Sequence, residues 1–463
     1  MSENERTVRV ALLTCASRRV NRDVALQVHR GAAAQVAHLA GELQVDYTSA
    51  SVVGVADDEM ALALSQIAQA RPDLLILHYA GWTEDETVLK LIEGLGRPVM
   101  LWVTGDVFVN GVSQLVAHVG YMEAASFLKK MHKTFFRYYG GPDTESEAEL
   151  RAVILAAKVR AELRRLRFGW IGEGYGSKGI LDGTFNEDVL EKKLGVQFVR
   201  IALEEVFSLY GNVGSVDDPV QAEKLRSLSI DAAMLRRRLP QEARSVEASL
   251  RFLLALQQAV EEHELAALSL RCFPEFKEHD VPSPCLAISA MNQNGIPASC
   301  EGDVLAGVSM YVLSRLTGRP ATLMDVFTYD EGANTMELFH CGSAAPALAG
   351  PGPCVEYRTH CKPGNHRPGV TVEFPIPPGK VSFLKLDMLD DHCKLFVFAG
   401  ETVPPDRTLR GNQAVVRTSS PVKGLIERLL DHGASHHMIL SPGNALREAQ
   451  YVAGMVGLDL VRL

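Results

Sequence analysis

Short apolar runs alternating with amphipathic stretches constrain this chain most. Residues 9–14, 74–78 and 99–103 read as strands, while apolar residues within 22–39, 58–70 and 84–95 recur at helical spacing. Such alternation predicts a parallel sheet with helices on its faces. Tyr138-Tyr139-Gly140-Gly141-Pro142-Asp143 breaks the pattern, and a helix over 145–164 leads away as a crossover. The alternation restarts at Phe168-Gly169-Trp170-Ile171, with further strands at 196–201, 266–271 and 285–288 and helices near 219–239 and 245–262. Past Asp325 the runs 370–374, 381–386, 393–399 and 413–417 read as strands separated by Pro and Gly, with one helix at 422–430. The expected fold class is α/β: two Rossmann-like doubly wound domains, 1–165 and 166–320, followed by a β-rich C-terminal domain, 321–463. A chain of 463 residues is too long for a single core.

Charge and cysteine usage narrow the function. A formal charge of −9 with no long basic run argues against a nucleic-acid partner, and Arg236-Arg237-Arg238 reads as a solvated helix face. No signal-peptide core is visible and no apolar run approaches a bilayer span, so a cytoplasmic protein without a membrane partner is expected. The eight cysteines are scattered, as reduced thiols would be. Cys341, Cys354 and Cys361, with His360 and His366 nearby, fit no standard zinc-finger spacing.

Ser299-Cys300-Glu301-Gly302-Asp303 opens the most informative segment. Apolar Val304, Leu305, Val308, Tyr311, Val312 and Leu316 predict a helix to Thr317, stopped by Gly318 and Pro320. A helix of about 15 residues advances about 22 Å. The extended segment 319–325 returns about 23 Å. Asp325 is thereby brought beside Glu301, and a divalent cation is the commonest reason for two carboxylates to share a site. Both acids would also suit a solvated helix end. His436 and His437, at the start of an apolar strand-like run, offer a third ligand; two carboxylates and one imidazole suit Mn²⁺ or a similar ion.

Other residues are candidates for substrate contact. His340 precedes Cys341-Gly342; Trp82 follows the 74–78 strand; Arg18, Arg19 and Arg22 lie at the first strand-to-helix loop. The last four sit at the sheet edge where α/β proteins bind ligands. Gly174-Tyr175-Gly176-Ser177-Lys178-Gly179 matches a dinucleotide fingerprint in letters, but the next helix is delayed to about Asn186, whereas the fingerprint opens directly into one.

On these residues the chain resembles the L-fucose/L-arabinose isomerase superfamily, the L-fucose isomerase branch above all. The likeness rests on Ser299 to Asp303 with Pro320 and Asp325, on 334–342 ending Phe-His-Cys-Gly, on Gly169-Trp170-Ile171-Gly172-Glu173-Gly174 with Lys193-Leu194-Gly195-Val196, and on Ser17-Arg18-Arg19. It implies Glu301, Asp325 and His437 as metal ligands, with Mn²⁺ or another divalent cation as cofactor. It also implies Asn334, His340, Trp82 and Arg18 as sugar contacts, and a homo-hexamer in which the first domain helps to close a neighbour's site. Asp325 follows the fucose branch, since an arabinose isomerase carries Glu there.

The implied chemistry suits the residues. Aldose–ketose isomerisation through an ene-diolate needs a Lewis acid on adjacent oxygens and groups to move two protons. Glu301 and Asp325 are the expected acid/base pair, acting on a small sugar such as L-fucose, D-arabinose or L-arabinose. Three other readings remain open: another metal-dependent reaction on a modified sugar, a nucleotide-dependent oxidoreductase, and a non-catalytic sugar-binding protein.

Overall fold

The computed structural model describes residues 7–54, 57–92, 98–141, 144–174, 180–351, 355–360 and 368–463. It falls into two compact units, Met1–Glu162 and Leu163–Leu463.

The first unit runs β1 Arg9–Ala16, α1 Arg22–Leu43, β2 Asp46–Val53, α2 Asp57–Ala70, β3 Leu74–Tyr79, α3 Asp85–Ile92 and β4 Val99–Val103. The hairpin β5 Phe108–Val109 and β6 Val112–Ser113 follows, then α4 Ala117–Lys130, β7 Phe136–Tyr139 and α5 Thr144–Leu163 at the unit boundary. Its parallel sheet has the order β2-β1-β3-β4-β7. β3 and β4 are buried along their whole length, as central parallel strands covered by helices must be. Tyr138 and Tyr139, expected to break the pattern, instead end the edge strand β7. The opposite edge, β2, also escaped the reading because its Asp-Tyr-Thr-Ser half faces solvent and needs no apolar run.

The second unit begins with β8 Arg167–Ile171, α6 Glu187–Leu194, β9 Gln197–Ile201, α7 Leu203–Asn212, α8 Pro219–Ser227, α9 Ala232–Arg238, α10 Ala243–Glu262 and β10 Ala267–Leu270. α11 Glu275–Glu278, α12 Cys285–Gln293 and β11 Ala298–Ser299 complete a parallel sheet of order β11-β10-β8-β9. The strand expected at 285–288 is the first half of α12, whose residues 285–292 are all buried. A helix apolar on every face carries no period, so its short apolar runs read as strand. The helix expected over 219–239 is two, capped by Asp218 and Asp231.

After α13 Val304–Thr317 come β12 Thr322–Asp330, β13 Thr335–His340, β14 Glu356–Thr359, β15 Val370–Pro375, β16 Gly379–Leu389, β17 His392–Val403 and β18 Asn412–Thr418. The chain ends with α14 Val422–Asp431, β19 His437–Pro442, α15 Leu446–Val456 and β20 Asp459–Arg462. These strands form a nine-stranded sheet of order β14-β15-β18-β13-β12-β19-β16-β17-β20. One apolar cluster runs from the β8–β10 strands through α10 and α12 to Phe383, Phe396 and Leu440 of the large sheet. α13 is buried on nearly every face. At Gly307 a Cβ would fall 2.5 Å from Phe168 and 2.9 Å from the Ser299 hydroxyl, so glycine lets α13 lie close on the parallel sheet.

Candidate metal and active centre

Glu301 stands just past the C-terminal end of β11, at the sheet edge favoured for ligands in α/β folds. Its φ of 65°, with Gly302 at 77°, turns the chain sharply before α13. A non-glycine residue in the left-handed region costs about 1–3 kcal/mol, and such strain clusters at functional sites. Asp303 then caps α13, accepting the Ala306 N–H at 2.7 Å. The helix ends at Gly318, and β12 returns as expected. β12 pairs antiparallel with β19 so that Asp325 lies directly opposite His437. His437 Nε2 is 3.3 Å from Asp325 Oδ1 and 3.7 Å from Glu301 Oε2. Donors sharing an ion at about 2.1 Å are separated by roughly 3–4 Å, and both distances from His437 Nε2 fall in that range.

The other face of the His437 ring is held from behind. Its Nδ1–H donates to Asp303 Oδ2 at 2.8 Å, and the same oxygen accepts from Lys385 Nζ at 3.0 Å. Neither His437 nor Lys385 is exposed. Burial alone would raise the Asp303 carboxyl, but the Lys385 charge, then the His437 bond, hold it well below the usual range. Burial would lower His437; its bonds to Asp303 and Asp325 instead raise it to about 9. Burial likewise works against the Asp325 charge, yet the His437 hydrogen bond, aided by the neighbouring histidines, lowers its pKa to about 2. Three carboxylates therefore converge on His437, Asp303 among them being paired with Lys385, and this pocket favours a positive charge at Nε2, whether proton or metal ion.

The surroundings are polar. His340, buried at the end of β13, has Nε2 3.8 Å from Glu301 Oε1 and 3.6 Å from the Cys300 sulfur. His340, Glu301 and Cys341 place one donor atom each within 4.8 Å of one another, and so do Asp325, His436 and His437. His436 is the more exposed histidine of the pair; its Nδ1 is 2.6 Å from Asp182 Oδ2 and its Nε2 is 3.8 Å from Asp325 Oδ1. Arg271, beyond β10, is buried and paired with Glu173 at 2.8 Å and Glu275 at 2.7 Å.

The remaining candidates belong to other elements. Arg18 and Trp82 belong to the first unit, at the C-terminal ends of β1 and β3, where that sheet's strand order reverses. Trp82 donates its indole N–H to Glu123 at 2.7 Å, and the Arg19 guanidinium lies 5.2 Å from its ring. Asn334 commits its amide to the backbone, donating to Thr418 and Ser420 and accepting from Val422 N–H. It precedes β13, at the opposite end from His340, and the strand between them spans roughly 17 Å. Of the glycine run, 175–179 lie outside the described residues, as do Cys354, Cys361 and His366. Among the described residues a short 3-10 turn, Leu181–Gly183, comes first, and the next α-helix, α6, opens at Glu187 behind the Asn186 cap.

Lys385, Asp387 and Asp182 were not anticipated. The first two left a signal: charges two apart in the apolar run Val381 to Leu386 and Met388 mark one face of a buried strand as polar. Asp182 left none, because its role depends on a contact with His436 across 254 positions of sequence.

No protein-family model matches the chain. A sulfoquinovose isomerase from Priestia megaterium is 23% identical over 404 residues, covering 87% of this chain and 88% of that protein. One from Alkalicoccus urumqiensis is 22% identical over 409 residues, with the same coverage of 87% and 88%. One from a Clostridium species is 24% identical over 424 residues, or 89% and 92% of the two chains. A periplasmic solute-binding protein from Actinobacillus succinogenes, solved with D-allose, is 12% identical and covers 63% of this chain and 84% of its own, at a TM-score of 0.18 that carries no argument. Among the described residues no helix is long and apolar enough to cross a membrane. Matched over most of their length by relatives that share one enzyme name, these 463 residues form an enzyme of the isomerase class.

Proposed function

We propose that the chain is a metal-dependent aldose–ketose isomerase whose cation is held by Glu301, Asp325 and His437. The observation that carries the reading is the meeting of two carboxylates at His437 Nε2 while Asp303 holds Nδ1. A carboxylate behind the second ring nitrogen is the usual support of a metal-ligating histidine. The oxygen-rich donor set suits Mn²⁺ or a similar ion. Bound there, the ion would supply Lewis-acid polarisation of two adjacent sugar oxygens.

Glu301 and Asp325 are the acid/base pair. One carboxylate removes the proton from the carbon beside the carbonyl and returns it to the neighbouring carbon, passing through an ene-diolate. The other serves the oxygens. Asp325, with its pKa of about 2, is ionised at neutral pH and enters as an acceptor. His340, beside Glu301, faces the same space. His340, Trp82, Arg18 and Asn334 are the proposed sugar contacts, although Asn334 already spends its amide on the backbone. Membership of the L-fucose/L-arabinose isomerase superfamily, a homo-hexamer and a cytoplasmic setting belong to the same proposal.

The name shared by the relatives favours a sulfonated hexose, sulfoquinovose, over the unmodified sugars. The test is a screen of sulfoquinovose, L-fucose, D-arabinose and L-arabinose with Mn²⁺-loaded and chelator-stripped protein. Conversion of one of them by the loaded form alone is expected; absence of any aldose–ketose conversion overturns the reading.

A further inference from the structure

We infer that Lys385 is a positioning residue: it pins Asp303, which fixes the His437 imidazole with Nε2 toward Glu301 and Asp325. The inference rests on the reading of Glu301, Asp325 and His437 as metal ligands.

Lys385 lies in the middle of β16 with 0% of its side chain exposed. A buried ion pair is weak evidence for stability, because well-packed apolar residues often replace one at no loss. Its ammonium therefore calls for another reason, and the hydrogen bonds around Asp303 supply it. Lys385 Nζ and His437 Nδ1 both donate to Oδ2, at 3.0 and 2.8 Å, while Oδ1 accepts the Ala306 N–H at 2.7 Å. A carboxylate held on both oxygens by three donors cannot swing away from the ring. An imidazole tied at Nδ1 presents Nε2 to its ligand.

The same strand holds the histidine a second way. Asp387, two residues on and so on the same face of β16, accepts the Ser435 N–H at 2.8 Å. That bond anchors the backbone from which His437 extends. β16 itself docks on α13, where Leu386 N–H donates to Ser309 Oγ at 2.8 Å. A strand outside the proposed ligand set thus orients the ligand histidine through its ring and through its backbone.

The test uses the full chain, stripped with chelator and titrated with Mn²⁺ by calorimetry, beside the melting temperature of the metal-free form. Lys385→Met is expected to weaken Mn²⁺ binding about 10–100-fold, the range found when outer supports of metal ligands are removed. Asp303→Asn should fall in the same range, and the double variant should lose no more than either single, since both act along one path. The double variant removes both halves of the Lys385–Asp303 pair together, so it decides the matter should a single variant fail to fold. A weakened double variant supports the inference; native affinity overturns it. A Lys385→Met protein that melts earlier yet binds Mn²⁺ within twofold of native shows a merely structural lysine and also overturns it. A native chain with no Mn²⁺ binding overturns the metal reading itself, a result distinct from the other two.

Discussion

Asp325 on β12 and His437 on β19 are cross-strand partners, Oδ1 to Nε2 at 3.3 Å, so an antiparallel ladder sets their spacing. Glu301 comes from the edge of a different sheet, on a left-handed turn, and completes the trio at 3.7 Å. Two of the groups are thus fixed by backbone pairing and the third by a strained turn. Loss of the third should spare the ladder.

Glu301→Gln keeps the shape of the side chain and removes its charge. Turnover is expected to fall at least about 10³-fold, since removing an acid/base group typically costs 10²–10⁴ and a ligand is lost as well. Glu301→Gly should be equally inactive without destabilising the fold, because glycine adopts a φ of 65° readily. Circular dichroism and thermal melts alongside isomerase assays check both; substantial residual turnover in Glu301→Gln refutes the assignment.

His437→Ala removes a donor shared by three carboxylates. With the imidazole gone, Asp303 keeps Lys385, while Asp325 and Glu301 lose the charge between them. The metal-free protein should be less stable by about 1.5–3 kcal/mol, the worth of a charged hydrogen bond. Mn²⁺ should no longer raise its Tm. His436→Ala, on the exposed side of the pair, should retain most of the Mn²⁺ response, and the two melting curves read side by side check the distinction.

Metal removal should act on stability as well as on turnover. A ligand that binds only the folded state stabilises it by about 2.7 kcal/mol at 100 times its Kd. Chelator-treated protein is expected to melt several degrees earlier and to lose isomerase activity, with both restored by Mn²⁺. A melting curve that ignores chelator and Mn²⁺ alike contradicts a bound cation.

Much of this architecture could be read from the chain. β3, β4, β16, β17 and α13 are long, periodic or continuously apolar, and their packing demands nothing that local sequence does not state. Edge strands β2 and β7 show no apolar run because one side of each meets solvent, and α12 reads as strand because every side of it is buried. The helix-and-return estimate sent Asp325 back toward Glu301 because helix rise and strand rise are fixed by geometry, and each of the two lies within 4 Å of His437 Nε2. The support behind His437 was not legible in the same way. Lys385 meets Asp303 only after β16 has crossed α13, a tertiary event that no spacing encodes.

Glu373 on β15 offers a titration that stands apart from the proposed ligands. Its carboxylate accepts from Arg410 Nε at 2.7 Å, Arg410 Nη2 at 2.9 Å and Thr371 Oγ1 at 2.6 Å. Burial works against its charge, yet the Arg410 hydrogen bonds outweigh burial and hold the carboxyl below its ordinary value. A depressed folded pKa means that the unfolded chain binds this proton more readily. The contribution to stability is therefore present above the ordinary glutamate value of about 4.3 and fades as pH falls through the folded pKa. Glu373→Gln should be less stable than the native chain near pH 7 by about 1.5–3 kcal/mol. The gap should narrow steadily below about pH 4 as native Glu373 takes up its proton. Urea unfolding of both proteins from pH 7 to pH 3 measures it, and a gap that stays constant across that range rules out a charge-assisted role for Glu373.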